Sequence, residues 1–140
     1  MPLSVGSIVS TKVTVTADMV QKFAEVSGDF NPIHLDDDYA KTTIFGRRIA
    51  HGMLSSALIS RTLSHELDNG GIYLKQNLKF VNPIYIDEEV EIELKVLAYH
   101  DRRGIGSIQT IVRKTSNGDI VVEGEAMIMS KEGLGRKVKT

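Results

Sequence analysis

The 140-residue chain contains no cysteine, and it carries neither a long apolar run nor an excess of one charge. Without cysteine it has no thiol nucleophile, no disulfide and no thiolate metal ligand, which agrees with a reducing compartment. No window approaches about 18 uncharged apolar residues, so the sequence predicts no membrane-spanning helix. The amino terminus lacks a charged segment followed by an apolar core, so we expect no secretory signal and a cytoplasmic protein.

The balance of charge gives no support for a polyanionic partner. Seventeen basic residues face 18 acidic ones, for a formal net charge of −1. Nothing in this balance favours binding to nucleic acid or to an anionic membrane. At 140 residues the chain is long enough for one domain, over 1–140, with a core that needs no disulfide or metal.

Several common site motifs are also missing. The sequence has no Gly-x-Gly-x-x-Gly dinucleotide motif, no phosphate-binding loop and no Gly-x-Ser-x-Gly nucleophile turn. Its four histidines are scattered and lack His-x-x-x-His spacing, so no metal site is expected. The sequence therefore predicts a protein without a metal or an organic cofactor.

The apolar pattern changes once along the chain, from helical to strand-like. It predicts a first strand at 7–15, a helix at about 17–27, a short capped helix from Asp36 and a longer apolar helix at about 52–66. From Gly70 onward apolar and polar residues alternate, which predicts four meandering strands. Strands that follow helices indicate an α+β fold, with an antiparallel sheet packed on the long helix. The basic tail at 131–140 is expected to be frayed.

The stretch from Asp29 to His34 carries the first candidate site. Gly28 is expected to end the helix, and Asn31-Pro32 separates a carboxylate from an imidazole in the loop that follows. These two groups can exchange protons near neutral pH if they share a pocket. The alternative is local: Asp29 accepts backbone amides in an Asx-type turn and His34 caps a neighbouring group.

The motif from Phe23 to His34, followed after five residues by Ala40, resembles the hydratase 2 motif of the MaoC-like (R)-specific enoyl-CoA hydratases. The stretch 45–53 is similar to that family's lead into its central helix, and the resemblance extends over most of 5–130. It implies a hot-dog fold, in which a long helix is wrapped by an antiparallel sheet. It also implies a homodimer or larger oligomer with active sites near the subunit interface.

The resemblance implies reversible syn addition of water to a trans-2-enoyl thioester, which gives an (R)-3-hydroxyacyl thioester. Asp29 and His34 would hold and activate the water, and the amide of Gly52 would stabilise the thioester oxyanion. Ser60 matches a residue that places a hydroxyl near the active site in this family. An equal alternative is that Ser60 is only a small residue that allows close helix packing. We also expect Asn31 to contact the substrate, as Gly52 and Ser60 would. His51 is expected to be structural, bonded to backbone and orienting Gly52.

Other activities and contacts remain open from the sequence. The nearest rival is the same chemistry on acyl carrier protein, by a 3-hydroxyacyl-thioester dehydratase of fatty-acid synthesis. A hot-dog thioesterase and a non-catalytic acyl-thioester binding module are rivals of other classes. Arg47 and Arg48 either contact phosphates of the thioester substrate or lie in a solvated loop.

Overall fold

A computed structural model describes residues 4–130, and the predicted tail at 131–140 lies outside this range. The fold is α+β, as predicted, with five antiparallel strands and four α-helices in the described part of the chain. The elements are β1 Ile8–Thr14, α1 Ala17–Ser27, α2 Pro32–Leu35, α3 Asp37–Lys41, α4 Gly52–Thr62, a π-helical turn Leu63–Leu67, β2 Ile72–Phe80, β3 Glu89–His100, β4 Ile105–Lys114 and β5 Ile120–Met129. No helix within 4–130 is both long and apolar enough to cross a bilayer.

Helix α1 begins and ends where its local sequence predicts. The Thr16 hydroxyl accepts a hydrogen bond from the Met19 amide at 3.2 Å, which satisfies one free donor of the first turn. Gly28 takes a left-handed conformation with φ +79°, and its amide donates to the Ala24 carbonyl at 2.8 Å. Because glycine adopts this conformation without steric cost, the helix stops there and Asp29 starts the next turn.

Helix α4 is the central helix, and its first residue is Gly52. The predicted span of 52–66 is helical, but α-helical geometry ends at Thr62 and the π-helical turn follows. The buried face carries Leu54, Ser55, Leu58, Ile59 and Thr62. Met53 and Ala57 are apolar but exposed, because they fall outside this face at helical spacing.

The strand order is β1-β3-β4-β5-β2, so the expectation of a four-strand meander is wrong for β2. Strands β3, β4 and β5 do form a meander, whereas β2 pairs antiparallel with β5 at the sheet edge. The segment between β2 and β3 does not form a hairpin, because its backbone amides and carbonyls form hydrogen bonds with other segments of the chain. The Ile84 carbonyl accepts from Ala50 at 2.8 Å, and the Asp87 amide donates to Val15 at 2.7 Å. This segment therefore lies beside the start of α4.

The two strands with the clearest alternation differ in what they bury. Val90, Ile92, Leu94 and Val96 of β3 are buried, as predicted. On β2, by contrast, Ile72 and Leu74 are each 46% exposed and Phe80 is 52% exposed. A register shift between Tyr73 and Lys75 interrupts the alternation, so Tyr73 packs against the core in place of Ile72 and Leu74, and Leu78 packs against it beyond the shift.

Two leucines of β3 test this assignment of faces. Leu94 is fully buried and Leu97 is 40% exposed. Leu94→Ala should lower the free energy of unfolding by about 2–5 kcal/mol, because it leaves a cavity in the core. Leu97→Ala should lower it by about 1 kcal/mol or less. Urea denaturation of both variants measures the difference, and equal losses would contradict the assigned faces.

Candidate active site

The turn after α1 brings Asp29 and His34 together. The Asp29 carboxylate accepts a hydrogen bond from the Asn31 amide at 3.2 Å, and the Asn31 side chain accepts one from the Ile33 amide at 3.3 Å. The second bond caps α2, in which Pro32 is the first residue. His34 therefore lies in a short helix and not in the predicted loop, because proline is tolerated where a helix begins.

The ring of His34 is oriented by a main-chain group. His34 is 8% exposed, and its Nδ1 lies 2.8 Å from the carbonyl oxygen of Ile49. A carbonyl oxygen only accepts, so Nδ1 carries the hydrogen and donates it. In the neutral imidazole, Nε2 then holds a free lone pair. The side chain is thus arranged to take up a proton at Nε2.

His51 joins the same group of side chains from the start of α4. It is 2% exposed, and its Nε2–H donates to the main-chain carbonyl of Asp29 at 3.0 Å. Its ring centroid lies 4.0 Å from that of His34 and 4.9 Å from that of Phe23. As expected, its hydrogen-bond partner is a backbone group. His51 consequently fixes Asp29 and His34 relative to Gly52, the residue that follows it.

Asp29, His34 and His51 each place one side-chain nitrogen or oxygen within 4.8 Å of the others. A water molecule with two hydrogen bonds of about 2.8 Å at a near-tetrahedral angle bridges atoms about 4.6 Å apart. The three side chains are therefore close enough together to share one water.

A cavity of about 350 Å³ opens beside these residues. His34, His51, Gly52 and Ser55 line one side of it, and most of the remaining lining is apolar. The Gly52 amide, in the first turn of α4, has no hydrogen-bond acceptor among residues 4–130. A side chain at Gly52 would meet the ring of Phe80, since a Cβ there would lie 2.8 Å from Phe80 Cε1. The helix therefore presents a bare amide to a mostly apolar cavity.

The remaining sequence candidates do not line this cavity. Asp29 is exposed and lies close to His34, which does line it, and Asn31 caps α2. Ser60 lines a separate pocket of about 60 Å³. Ser55 is not among the sequence candidates, yet it is buried and lines the larger cavity. Ser55 lies three residues after Gly52, which places both on one face of the helix. This spacing is visible in the sequence and could have identified Ser55.

The pKa of His34 is shifted by its surroundings. Burial lowers it below the ordinary value of 6.5, and the charge on His51 also lowers it. The hydrogen bond to Ile49 and the charge on Asp29 act in the opposite direction. The net lowering keeps the imidazole neutral and able to accept a proton at neutral pH.

We expect an NMR titration of His34 to give a midpoint below 6.5. Asp29→Asn should lower the midpoint further, because the carboxylate stabilises the imidazolium. Because folding lowers the pKa of His34, the neutral imidazole contributes to the free energy of unfolding. This contribution is fully present above the unfolded-state pKa and is lost as the pH falls through the folded-state pKa. A peptide spanning 30–38 supplies the reference, and a folded-state midpoint at or above the peptide's would contradict this account.

Comparisons with known proteins identify the family of this chain. The family model described as MaoC like domain matches residues 5–118. An (R)-specific enoyl-CoA hydratase of Aeromonas caviae is 39% identical, covering 90% of this chain and 94% of the relative. A mitochondrial 3-hydroxyacyl-[acyl-carrier-protein] dehydratase of Arabidopsis thaliana is 32% identical, covering 89% and 75%.

Solved structures give the same result. The unliganded R-hydratase PhaJ1 from Pseudomonas aeruginosa has a TM-score of 0.86 and 42% identity, covering 91% of this chain and 82% of that one. The (R)-hydratase from A. caviae involved in PHA biosynthesis has a TM-score of 0.87 and 38% identity, covering 91% and 97%. With its α+β hot-dog fold, this chain belongs to the MaoC-like domain family.

Proposed function

We propose that the protein is an (R)-specific enoyl-CoA hydratase, a hydro-lyase that adds water reversibly and syn to trans-2-enoyl thioesters. The product is an (R)-3-hydroxyacyl thioester. One observation carries the proposal: the Asp29 carboxylate and the His34 imidazole meet beside a cavity that also contains the unpaired amide of Gly52. The names of the relatives in A. caviae and P. aeruginosa support the reaction, and the A. caviae name also supports the substrate class.

In the proposed mechanism Asp29 and His34 hold one water. Its oxygen attacks C3 of the enoyl group while a proton passes from the water to the pair. The C2–C3 double bond becomes a single bond, and its electrons move onto the thioester as an enolate. A proton from the same pair then reaches C2, so the atoms of one water are added in total. The two side chains act as one coupled unit in this exchange.

The enolate needs a hydrogen-bond donor, and Gly52 supplies one. Its amide belongs to the first turn of α4, where the helix dipole also favours negative charge. The apolar lining of the cavity lowers the local dielectric, which strengthens this interaction. We assign the thioester carbonyl to the Gly52 amide and the acyl group to the adjoining cavity wall.

Removal of either catalytic side chain should abolish most activity. Asp29→Asn and His34→Ala are each expected to lower kcat for crotonyl-CoA hydration at least about 100-fold, the typical contribution of a positioned acid or base. The product of the unaltered enzyme should be (R)-3-hydroxybutyryl-CoA by chiral chromatography. Asp38→Asn and His65→Ala make the same chemical changes at exposed positions and should leave kcat unchanged.

Four results would contradict the proposal. An (S) product excludes the assigned stereochemistry. Undiminished activity in Asp29→Asn or His34→Ala excludes the proposed pair. Release of free thiol without hydration, detected with a thiol reagent, indicates a thioesterase, and binding of crotonyl-CoA without turnover indicates a non-catalytic module. Circular dichroism of each variant separates loss of chemistry from loss of fold.

A second candidate is dehydration of 3-hydroxyacyl groups on acyl carrier protein. It is favoured by the A. thaliana relative, whose name specifies that substrate. Both reactions use the same residues and present a pantetheine arm to the same cavity. Parallel assays with crotonyl-CoA and crotonyl-acyl carrier protein, compared by kcat/KM, distinguish the two.

We further propose that the protein is a homodimer formed through the free edge of β2. This strand pairs with β5 on one side only, and its exposed apolar residues include Ile72, Leu74 and Phe80. An exposed apolar edge strand favours association with another chain. Phe80 also lines the cavity, so a partner at this edge would lie close to the active site.

A charge on this edge should break the dimer. Leu74→Lys is expected to shift the protein from dimer to monomer in sedimentation velocity, because it buries a cation in an apolar interface. Leu97→Lys introduces the same charge at an exposed position on β3, away from the free edge, and should leave the dimer intact. A monomeric wild-type protein, or a dimeric Leu74→Lys variant, would contradict this assignment.

A further inference from the structure

The structure separates two adjacent arginines that the sequence treats alike. Arg48 forms an ion pair with Asp37 at 2.9 Å and donates to the main-chain carbonyl of His34 at 3.4 Å. It thereby ties α3 to α2. Arg47 is exposed, and no carboxylate within 4–130 pairs with it. Its guanidinium lies instead over the ring of Tyr85, with Cζ 4.0 Å from the ring centroid.

Tyr85 is a fixed platform for this guanidinium. Its amide donates to the Glu88 carboxylate at 2.8 Å, and its hydroxyl donates to the Phe45 carbonyl at 3.4 Å. Tyr85 also forms an isolated antiparallel bridge with Ile49. These contacts hold the ring from both its backbone and its tip, so Arg47 stacks on a surface that is already in place.

The other cation over the Tyr85 ring is compensated. Lys114 lies 5.1 Å from the ring centroid, but its ammonium pairs with Glu88 at 3.1 Å. Lys114 and Glu88 therefore contribute no net charge to this surface. Arg47 is therefore the uncompensated cation of this surface. Because its guanidinium lies over the Tyr85 ring, the edge of the guanidinium is free for a planar, two-point contact with an anion.

The chain neighbours of Arg47 place it beside the larger cavity. Phe45 and Ile49, on either side of it in the chain, line that cavity, as does Ile84, which precedes Tyr85. The Cα atoms of Arg47 and Gly52 are five residues apart, so they are separated by at most about 18 Å. An anion at Arg47 is therefore within reach of a long substrate arm whose reactive end is at Gly52.

We propose that Arg47, held on Tyr85, binds a phosphate group of coenzyme A. This assignment rests on the proposed function, because it takes the thioester at Gly52 and runs the pantetheine arm outward along the rim. A phosphate presents two oxygens to the guanidinium edge, and lysine at this position would lack the stacked, two-point geometry. Arg47 acts in substrate binding and takes no part in proton transfer.

The experiment compares a variant with a truncated substrate. Arg47→Gln should lower kcat/KM for crotonyl-CoA about 10-fold through KM, with kcat unchanged, as expected when a charge-assisted hydrogen bond at a solvent-exposed site is lost. It should leave kcat/KM for crotonyl-pantetheine, which has no phosphate, unchanged. Crotonyl-3′-dephospho-CoA, which lacks the 3′-phosphate, shows which phosphate Arg47 binds. If Arg47→Gln still lowers kcat/KM for this substrate, Arg47 binds the pyrophosphate. If kcat/KM is unchanged, Arg47 binds the 3′-phosphate.

Two controls accompany this variant. Arg103→Gln removes the same charge from the β3–β4 turn, at the far end of β3 from Tyr85, and should leave both substrates unaffected. Tyr85→Leu removes the platform and should reproduce the loss on crotonyl-CoA, whereas Tyr85→Phe retains the ring and should not. Calorimetric titration with coenzyme A itself repeats the comparison without turnover.

Equal losses on crotonyl-CoA and crotonyl-pantetheine would overturn the proposal, because they would indicate a structural role for Arg47. Unchanged kcat/KM on both substrates would also overturn it. If the wild-type protein binds coenzyme A and Arg47→Gln weakens that binding, but neither substrate is hydrated, then the hydratase assignment fails while the phosphate site stands. The two failures are therefore distinguishable.

Discussion

The hydrogen bond from the His34 ring to the Ile49 carbonyl is the contact on which the site depends. It joins residues 15 positions apart, and the bond from His51 to the Asp29 carbonyl joins residues 22 positions apart. Together the two bonds hold the turn after α1 against the chain that enters α4. Without them, the carboxylate, the imidazole and the helix amide would sit on independently moving segments, and a shared water would have no fixed position.

Local chemistry made much of this arrangement predictable. Thr16 and Gly28 are a helix cap and a helix terminator by their own conformational preferences, and the structure uses both in these roles. The alternation of β3 identified its buried face because the strand is covered along its length. The Asp29-to-His34 motif identified the two side chains that the structure brings together. Both earlier interpretations of Asp29 agree with the geometry, since its carboxylate accepts a backbone amide and also lies near His34.

Other features depend on contacts between distant segments, which no local pattern encodes. The partner of β2 is decided by the path of 81–88, whose amides and carbonyls bond to Val15 and Ala50 instead of forming a hairpin. The exposure of Leu74 follows from a register shift and a free edge. Arg47 and Arg48 are adjacent in sequence, yet Asp37 fixes one and Tyr85 the other. Tertiary neighbours, which a single sequence does not list, determine such roles.

The central claim is that one water, held by Asp29 and His34 on one face of the substrate, supplies both the hydroxyl at C3 and the proton at C2. Hydration of crotonyl-CoA in deuterium oxide tests this claim directly, because the position of deuterium at C2 is read from its proton coupling to C3 by NMR. The account predicts one diastereomer, the product of syn addition, with (R) configuration at C3. An anti product, or deuterium distributed over both C2 positions at the first turnover, would contradict it.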